Sequence, residues 1–172
     1  KSNVRIWGKA TPNSTVVVTP SWANKEVKTH ADEKGCWELQ ITTPAASFEE
    51  YTLTLTDGEQ SVTLQHLLIG EVWLCAGQSN MRYGYEYPYW TDYHNDVDSG
   101  LLDNENIRII SNENNTVSNY WETDTVGWKQ SNTQSIQDLK FSATASYFGK
   151  HLYGDNGHIP IGLISSQSAA QA

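Results

Sequence analysis

A short polar cluster, Gly77-Gln78-Ser79-Asn80, offers the residue types that acyl-transfer chemistry needs. It follows Val72 to Ala76, an apolar run without charge that predicts a strand buried on both faces, as parallel strands are. Open α/β sheets bind ligands at the carboxyl ends of such strands. Gly77 allows a close backbone approach there, so we expect the Ser79 hydroxyl and N–H to face a ligand. The cluster predicts Ser79 as a nucleophile within an oxyanion and nucleophile loop of these four residues.

A purely structural role for Ser79 is the alternative. Ser and Asn favour the cap position at a helix N-terminus, so Ser79 could simply cap the helix that follows. The motif also differs from the G-x-S-x-G elbow of α/β-hydrolases, because Met81 stands where the second glycine would be. The residues alone leave both interpretations open.

A serine nucleophile needs a general base, usually a histidine that a carboxylate orients, and donors for the oxyanion. Of the five histidines, His94 is the one near Ser79 in sequence, with Asp92 and Asp96 beside it. A local Ser79–His94–Asp96 set is one interpretation, and a solvated loop histidine flanked by carboxylates is the other. The histidines and cysteines lack metal-ligand spacing, so we expect no metal site.

The stretch from Arg82 to Tyr93 carries six aromatic residues in twelve positions. Aromatic faces stack on sugar rings, and their polar tips bond hydroxyls. Because this stretch leaves directly from Ser79, it predicts a substrate-binding loop, with Met81, Arg82, Tyr83 and Tyr85 as the residues nearest the nucleophile. The alternative is that the aromatics pack a long loop onto the core.

The elements before this site read as all-β. Residues 3 to 66 contain six short segments of alternating or β-branched character, separated by turn clusters such as Asp57-Gly58. Strands at this spacing predict an antiparallel β-sandwich of immunoglobulin-like type. We expect this unit to act as a packing or spacer module. Sugar binding by Trp7, Trp22 or Trp37 is the less favoured alternative.

Residues 67 to 172 change to an α/β pattern. Val72 to Ala76, Ile107 to Ile110 and Ile161 to Ile164 predict parallel strands, with the first of them central in the sheet. A helix is expected from the cap Ser142 to the stop Gly154. Its predicted apolar face consists of Ala143, Tyr147, Phe148, His151 and Leu152.

The composition of the chain limits the kinds of binding partner that we expect. The chain has 172 residues and a formal charge of −9, which argues against nucleic acid and anionic membrane surfaces. No apolar run reaches the length of a membrane span. Cys36 and Cys75 lie in separate strand-like segments, so free thiols are expected in place of a disulfide. Because the chain begins within a strand-like pattern, we expect a removed leader or an upstream segment before it. We also expect a secreted or periplasmic protein.

Two blocks of sequence resemble a known family. The twelve residues from Gly70 to Met81 resemble the nucleophile block of the sialate O-acetylesterase family, a branch of the SGNH hydrolases. Phe141 to Lys150 and Ile159 to Ile164 resemble the helix and strand that follow in that family. The resemblance covers roughly residues 1 to 166 and indicates an N-terminal portion of such a protein.

This resemblance implies a fold and an activity. It implies a β-sandwich module at 1–66, then at 67–172 the incomplete start of a flavodoxin-like α/β/α three-layer SGNH hydrolase domain. It implies a serine esterase without a cofactor that removes acetyl groups from sugars or glycans, with Ser79 as nucleophile.

The chain also departs from the family pattern. The family's Asp–His block and its oxyanion Asn block have no match here, and the paired glycines expected after Ile164 are replaced by Ser165-Ser166-Gln167. We therefore expect Asp and His from outside this chain, on a C-terminal polypeptide segment that completes the domain. The alternative is a non-catalytic carbohydrate-binding fragment that uses the aromatic residues 83–93.

Overall fold

The computed structural model describes residues 1–23, 25–111, 127–155 and 157–167. The chain divides into two compact units, with the boundary between Ile69 and Gly70. Most of the Asn-rich stretch after Ser111, and the segment Ala170-Gln171-Ala172, lie outside the described residues.

Six strands in two antiparallel sheets form the first unit. The strands are β1 (Asn3–Lys9), β2 (Thr15–Pro20), β3 (Val27–His30), β4 (Cys36–Thr42), β5 (Ser47–Thr56) and β6 (Ser61–Ile69). One sheet pairs β1 with β4, and the other has the order β3-β2-β5-β6. The six predicted strands are therefore observed, all in antiparallel pairs.

One apolar core lies between these two sheets. Strand β4 alternates strictly, so Trp37, Leu39 and Ile41 are buried while the intervening residues are exposed. They pack with Val16 and Val18 of β2 in a single cluster. Two sheets that share one core are the sandwich arrangement. Its immunoglobulin-like type stays a prediction.

The β5–β6 hairpin turns at Asp57-Gly58, as predicted, and Gly58 has a φ of +93°. The Asp57 carboxylate accepts hydrogen bonds from the backbone N–H groups of Thr11, Gln60 and Glu59 at 2.8–3.0 Å and from the Thr11 hydroxyl at 2.8 Å. These donors, Thr11 foremost, hold the pKa of Asp57 well below its usual range. The turn is thus tied to the β1–β2 connection.

The second unit is a mixed α/β arrangement. Its elements are β7 (Glu71–Gly77), α1 (Ser79–Arg82), α2 (Thr91–Asp98), β8 (Asn104–Ser111), β9 (Lys129–Ser131), α3 (Thr133–Asp138), α4 (Ala143–Asp155) and β10 (Ile161–Gln167). The sheet order is β7-β10-β8-β9. Strands β7, β10 and β8 run parallel, and β9, which the sequence did not predict, pairs antiparallel with β8.

The predicted position of the first parallel strand was wrong. Among the described strands β7 lies at the sheet edge, and β10 takes the central place. A flavodoxin-like sheet would put the first strand between the second and third. The predicted burial on both faces is also wrong, because Val72 and Leu74 are 64% and 66% exposed. The opposite face of β7 is covered in part, since Trp73 meets Phe148 of α4 edge-on with ring centroids 5.4 Å apart.

Helix α4 packs against the covered face of this sheet through its small residues. Ala145, Ser146 and Gly149 are buried, and a Cβ on Gly149 would meet Leu163 Cδ1 at 2.4 Å. The predicted apolar face is confirmed in part: Ala143, Tyr147 and Leu152 are half-buried against the core of the unit, whereas Phe148 and His151 are exposed. Gly154 does not end the helix either, because the helix continues through Asp155. Close approach to Leu163 selects the small-residue face.

Candidate active site

The corner between β7 and α1 positions Ser79. Strand β7 ends at Gly77, Gln78 occupies the helix N-cap without a side-chain cap hydrogen bond, and Ser79 is the first helical residue. Ser79 is therefore not the N-cap of this helix, in contrast to the capping alternative. It is exposed at the carboxyl end of a parallel strand, and its role as a nucleophile stays a prediction.

A close contact inside the corner fixes this geometry. A Cβ on Gly77 would lie 2.6 Å from Met81 Cγ, so no larger residue fits without movement. Met81 is buried in the core of the unit, and its sulfur lies 4.0 Å from the Ser142 hydroxyl. Met81 was predicted to contact substrate. Its described contacts are instead with Gly77 and with the core of the unit, so it supports the corner from the buried side.

The first turn of α1 leaves two backbone donors without an intrahelical acceptor. The N–H groups of Met81 and Arg82 both donate to the Gln78 carbonyl, at 3.0 and 3.1 Å. The N–H groups of Ser79 and Asn80 have no acceptor among the described residues, as expected for a first helical turn. The Asn80 carbonyl accepts from the Thr144 hydroxyl at 3.1 Å, which anchors the turn to α4.

The neighbouring strand β10 ends at the same sheet edge. Ser165 is in register with Cys75 of β7 and with Ser111 of β8. The hydroxyl oxygens of Ser165 and Ser111 are buried and have no hydrogen-bond partner among the described residues. In the sequence, Ser165 stands out only as part of the departure from the expected paired glycines. The signal for it was a polar residue at the carboxyl end of an apolar strand.

The local Ser79–His94–Asp96 set is not assembled. His94 lies on α2 with its ring stacked on Tyr85, centroids 4.4 Å apart, and its Nε2 is buried without a partner in the described part of the chain. Asp96 instead accepts a 2.6 Å hydrogen bond from the Tyr147 hydroxyl. Burial and this carboxylate raise the pKa of Tyr147. The described histidines therefore provide no base in contact with Ser79.

The remaining titratable groups of this region show no metal-binding arrangement. The described residues contain no group of three or more His, Cys, Asp or Glu side chains that could hold a metal ion. Cys36 and Cys75 are both free and half-buried. Burial raises the pKa of the Cys75 thiol, so it remains protonated near neutral pH.

The aromatic stretch after Ser79 divides into two groups. Tyr93 is buried, with its hydroxyl donating to the Phe141 carbonyl at 3.0 Å, and burial raises its pKa to about 12. The Tyr85 hydroxyl donates to Asp98 at 2.8 Å, and this hydrogen bond raises the pKa of Tyr85. Tyr93 and Tyr85 are therefore engaged in contacts within the protein. Tyr85 was predicted to contact substrate, but its hydroxyl is bonded to Asp98 and its ring is stacked on His94.

The other four rings of the stretch form a second group. The Tyr83 ring contacts the rings of Tyr87 and Trp90, and Tyr89 and Trp90 are exposed. Arg82, also exposed, ends the helix that Ser79 begins. These residues are the described part of the stretch that is accessible to a ligand.

Comparison with known proteins shows that the chain is similar in sequence to sialate O-acetylesterases. It is 29% identical over 183 residues to the sialate O-acetylesterase of Mus musculus, a match that covers 96% of this chain. It is 30% identical over 178 residues to the sialate O-acetylesterases of Pongo abelii and Homo sapiens, covering 94% of the chain. The chain spans about a third, 32%, of the length of these relatives. The resemblance inferred from the sequence is confirmed.

The fold of the chain is similar to that of a solved structure. A carbohydrate acetylesterase from Xanthomonas citri superposes with a TM-score of 0.79 at 22% identity, over 100% of this chain and 38% of that protein. At that identity the likeness shows the fold alone. The chain matches no protein-family model. None of the described helices is long and apolar enough to cross a membrane.

Proposed function

We propose, from this similarity to the sialate O-acetylesterases, that the chain carries the nucleophile of a serine carbohydrate acetylesterase. The observation that carries the proposal is the position of Ser79. It is exposed, it is the first residue of a helix, and it follows a parallel strand in a twelve-residue block that resembles the family's nucleophile block.

The proposed reaction uses the corner as follows. The Ser79 Oγ attacks the carbonyl carbon of an acetyl ester, and a histidine accepts the Ser79 proton. The oxyanion that forms accepts the N–H of Ser79, with the adjacent N–H of Asn80 close by. Collapse releases the sugar hydroxyl, which takes the proton from the histidine, and water then cleaves the acetyl-serine. Gly77 and Gln78 shape the turn that presents these groups.

The general base and its carboxylate are proposed to come from outside this chain. Supporting this, the described histidines make no contact with Ser79, and the relatives are about three times longer than the chain. A polypeptide segment that completes the domain would bring the Asp and His to Ser79. An SGNH-type domain and a location outside the cytoplasm, secreted or periplasmic, stay predictions within this proposal.

Arg82 has a proposed substrate role beside the nucleophile. Residues three apart on a helix share a face, so Arg82 lies on the side of α1 that Ser79 occupies. Its side chain is exposed, and guanidinium groups bind carboxylates in a bidentate manner. We infer that Arg82 binds an acidic or hydroxyl-rich part of the substrate.

Substitution of Ser79 tests the proposal. In the complete enzyme, Ser79→Ala should abolish deacetylation while sugar affinity changes little, because the hydroxyl acts chiefly in the transition state. A serine-directed organophosphate should label Ser79 alone, seen as one modified peptide by mass spectrometry. Ser99→Ala, an exposed serine at the end of α2, is the matched control and should keep full activity. Labelling of another serine, or full activity of Ser79→Ala, would refute the proposal.

A further inference from the structure

We propose that Tyr83, Tyr87 and Trp90 form an aromatic platform beside Ser79 that binds the apolar face of a pyranose ring. The inference rests on the proposed function, because the platform would bind the sugar part of an acetylated substrate whose ester lies at Ser79. Four rings remain of the aromatic stretch once Tyr93 and Tyr85 are bound into the protein's own contacts. Three of them cluster around Tyr83, whereas Tyr89 makes no ring contact among the described residues.

The platform is built around Tyr83. Its ring meets Tyr87 edge-on, with centroids 5.7 Å apart, and meets Trp90 at 4.9 Å and 45°. Tyr83 and Tyr87 are half-buried, whereas Trp90 is 45% exposed. Trp90 is therefore held by a neighbouring ring yet keeps nearly half its surface for a ligand. Aromatic faces carry partial negative charge, which attracts the C–H groups on one side of a sugar ring.

Helix geometry brings this platform to the nucleophile. Ser79 begins α1, and Tyr83 is the C-cap four residues later. Side chains four residues apart lie on one face of a helix with Cβ atoms roughly 5–6 Å apart, and they lean toward the helix N-terminus. The Tyr83 side chain thus lies on the side of α1 that carries Ser79. An acetyl ester held at Ser79 would leave its sugar within reach of these rings.

The platform is fixed before any ligand arrives. The Tyr83 carbonyl accepts the Ala143 N–H at 2.7 Å. A Cβ on Gly84 would lie 2.3 Å from the Lys140 carbonyl oxygen, so the chain runs tightly against the α3–α4 connection. The Tyr87 N–H then donates to the Gly84 carbonyl at 3.3 Å. A preformed surface loses little conformational entropy on binding, which favours even a small contact area.

Sugar binding to the 172-residue chain tests the platform without requiring catalysis. The probes are methyl β-xyloside and the methyl glycoside of N-acetylneuraminic acid, which carry no O-acetyl ester. We expect saturable binding of at least one probe in an NMR titration. The Trp90 indole N–H signal should shift, and its loss in Trp90→Phe identifies it. Trp90→Ala should weaken binding roughly threefold to tenfold, and Trp90→Phe should retain most of the affinity.

Matched controls separate stacking from general surface effects. Trp128 lies in the same unit at 43% exposure, and Tyr89 is 89% exposed, so Trp128→Ala and Tyr89→Ala should leave the affinity unchanged. Near-UV circular dichroism shows whether each variant keeps its fold, and the Trp90 signal of the unsubstituted chain reports binding without any variant. The platform is refuted by absence of saturable binding, by an unmoved Trp90 signal, or by equal losses in Trp90→Ala and Trp128→Ala.

The outcomes distinguish this inference from the proposed function. If Ser79→Ala abolishes deacetylation in the complete enzyme while Trp90→Ala binds sugar normally, the esterase stands and the platform is refuted. If Trp90→Ala loses binding while Ser79→Ala retains deacetylation, the platform stands and the catalytic proposal is refuted.

Discussion

Gly77 and Met81, two residues before and two residues after Ser79, pack closely against each other. Met81 fills the space that a Cβ on Gly77 would need, and it is itself held in the core of its unit. The exposed serine is therefore positioned by a buried contact two residues away on either side. A change at Gly77 should disturb both the stability and the reactivity of this corner.

Gly77→Ala should lower the free energy of unfolding by about 1 to 3 kcal/mol, because the new methyl group overpacks against Met81 Cγ. Urea denaturation measures the change. Gly154→Ala is the control: a Cβ there meets nothing within 4 Å, so the substitution should be neutral or stabilising by up to about 1 kcal/mol. Equal effects of the two substitutions would contradict the role of the Met81 contact.

The buried Tyr93 predicts a pH dependence at alkaline pH. Its pKa is about 12 in the folded chain, chiefly through burial, against 10.0 for an ordinary phenol. The folded state keeps a proton that the unfolded state releases, so this stabilisation is complete below pH 10 and is lost as the pH rises toward 12. Stability should therefore fall in that window.

Tyr93→Phe tests this dependence. The variant should be less stable by roughly 1 kcal/mol at neutral pH, through loss of the hydrogen bond to Phe141. Its stability should decline less steeply in alkali, as followed by urea denaturation at several pH values. Tyr89→Phe, at an exposed phenol, should follow the original curve. An unchanged alkaline slope in Tyr93→Phe would show that other groups cause the decline.

At the scale of elements, the parallel strands differ sharply in how much stability they carry. Leu163→Ala in the central β10 should cost about 2 to 5 kcal/mol, because the side chain is fully buried against α4. Val72→Ala in the edge strand β7 should change stability by less than about 0.5 kcal/mol, since Val72 is largely exposed. Thermal unfolding of both variants measures the difference. Similar losses would mean that Val72 is covered in solution.

Sequence periodicity predicted the strands, with the exception of β9, but not which strands lie side by side. The period of two located β4, and the Asp57-Gly58 turn located the β5–β6 hairpin. The apolar run of β7 gave no information on its place in the sheet, because apolarity does not specify which element covers a strand. The face of α4 was predicted only in part for a similar reason, since Gly149 is buried for its small size.

The candidate site was predictable to a similar extent. Ser79 could be identified because strand, glycine and polar turn are adjacent in sequence. The different roles of Tyr85 and Trp90 depend on Asp98 and on Tyr83, which no local pattern pairs with them. Ser165 was missed because its register beside Cys75 arises from a long-range strand pairing.

For the whole molecule, the proposal that the general base lies outside this chain predicts very low esterase activity of the isolated chain. Residues 1–172 alone should hydrolyse p-nitrophenyl acetate barely above the buffer rate. Removing triad members typically lowers rates by factors on the order of 10⁴ to 10⁶. A spectrophotometric assay measures the rate. Robust turnover that disappears in His94→Ala would instead identify His94 as a base in this chain.

The chain contains a single methionine, Met81, and it packs against the corner between β7 and α1 at which Ser79 is exposed. Selective ¹³C-methyl labelling of methionine would therefore give one resonance, free of overlap, from the immediate neighbourhood of Ser79. Oxidation of that sulfur would turn an apolar side chain into a polar one and report through the same signal whether the core under the corner has opened. The single methionine of this chain thus provides an NMR probe of the candidate site.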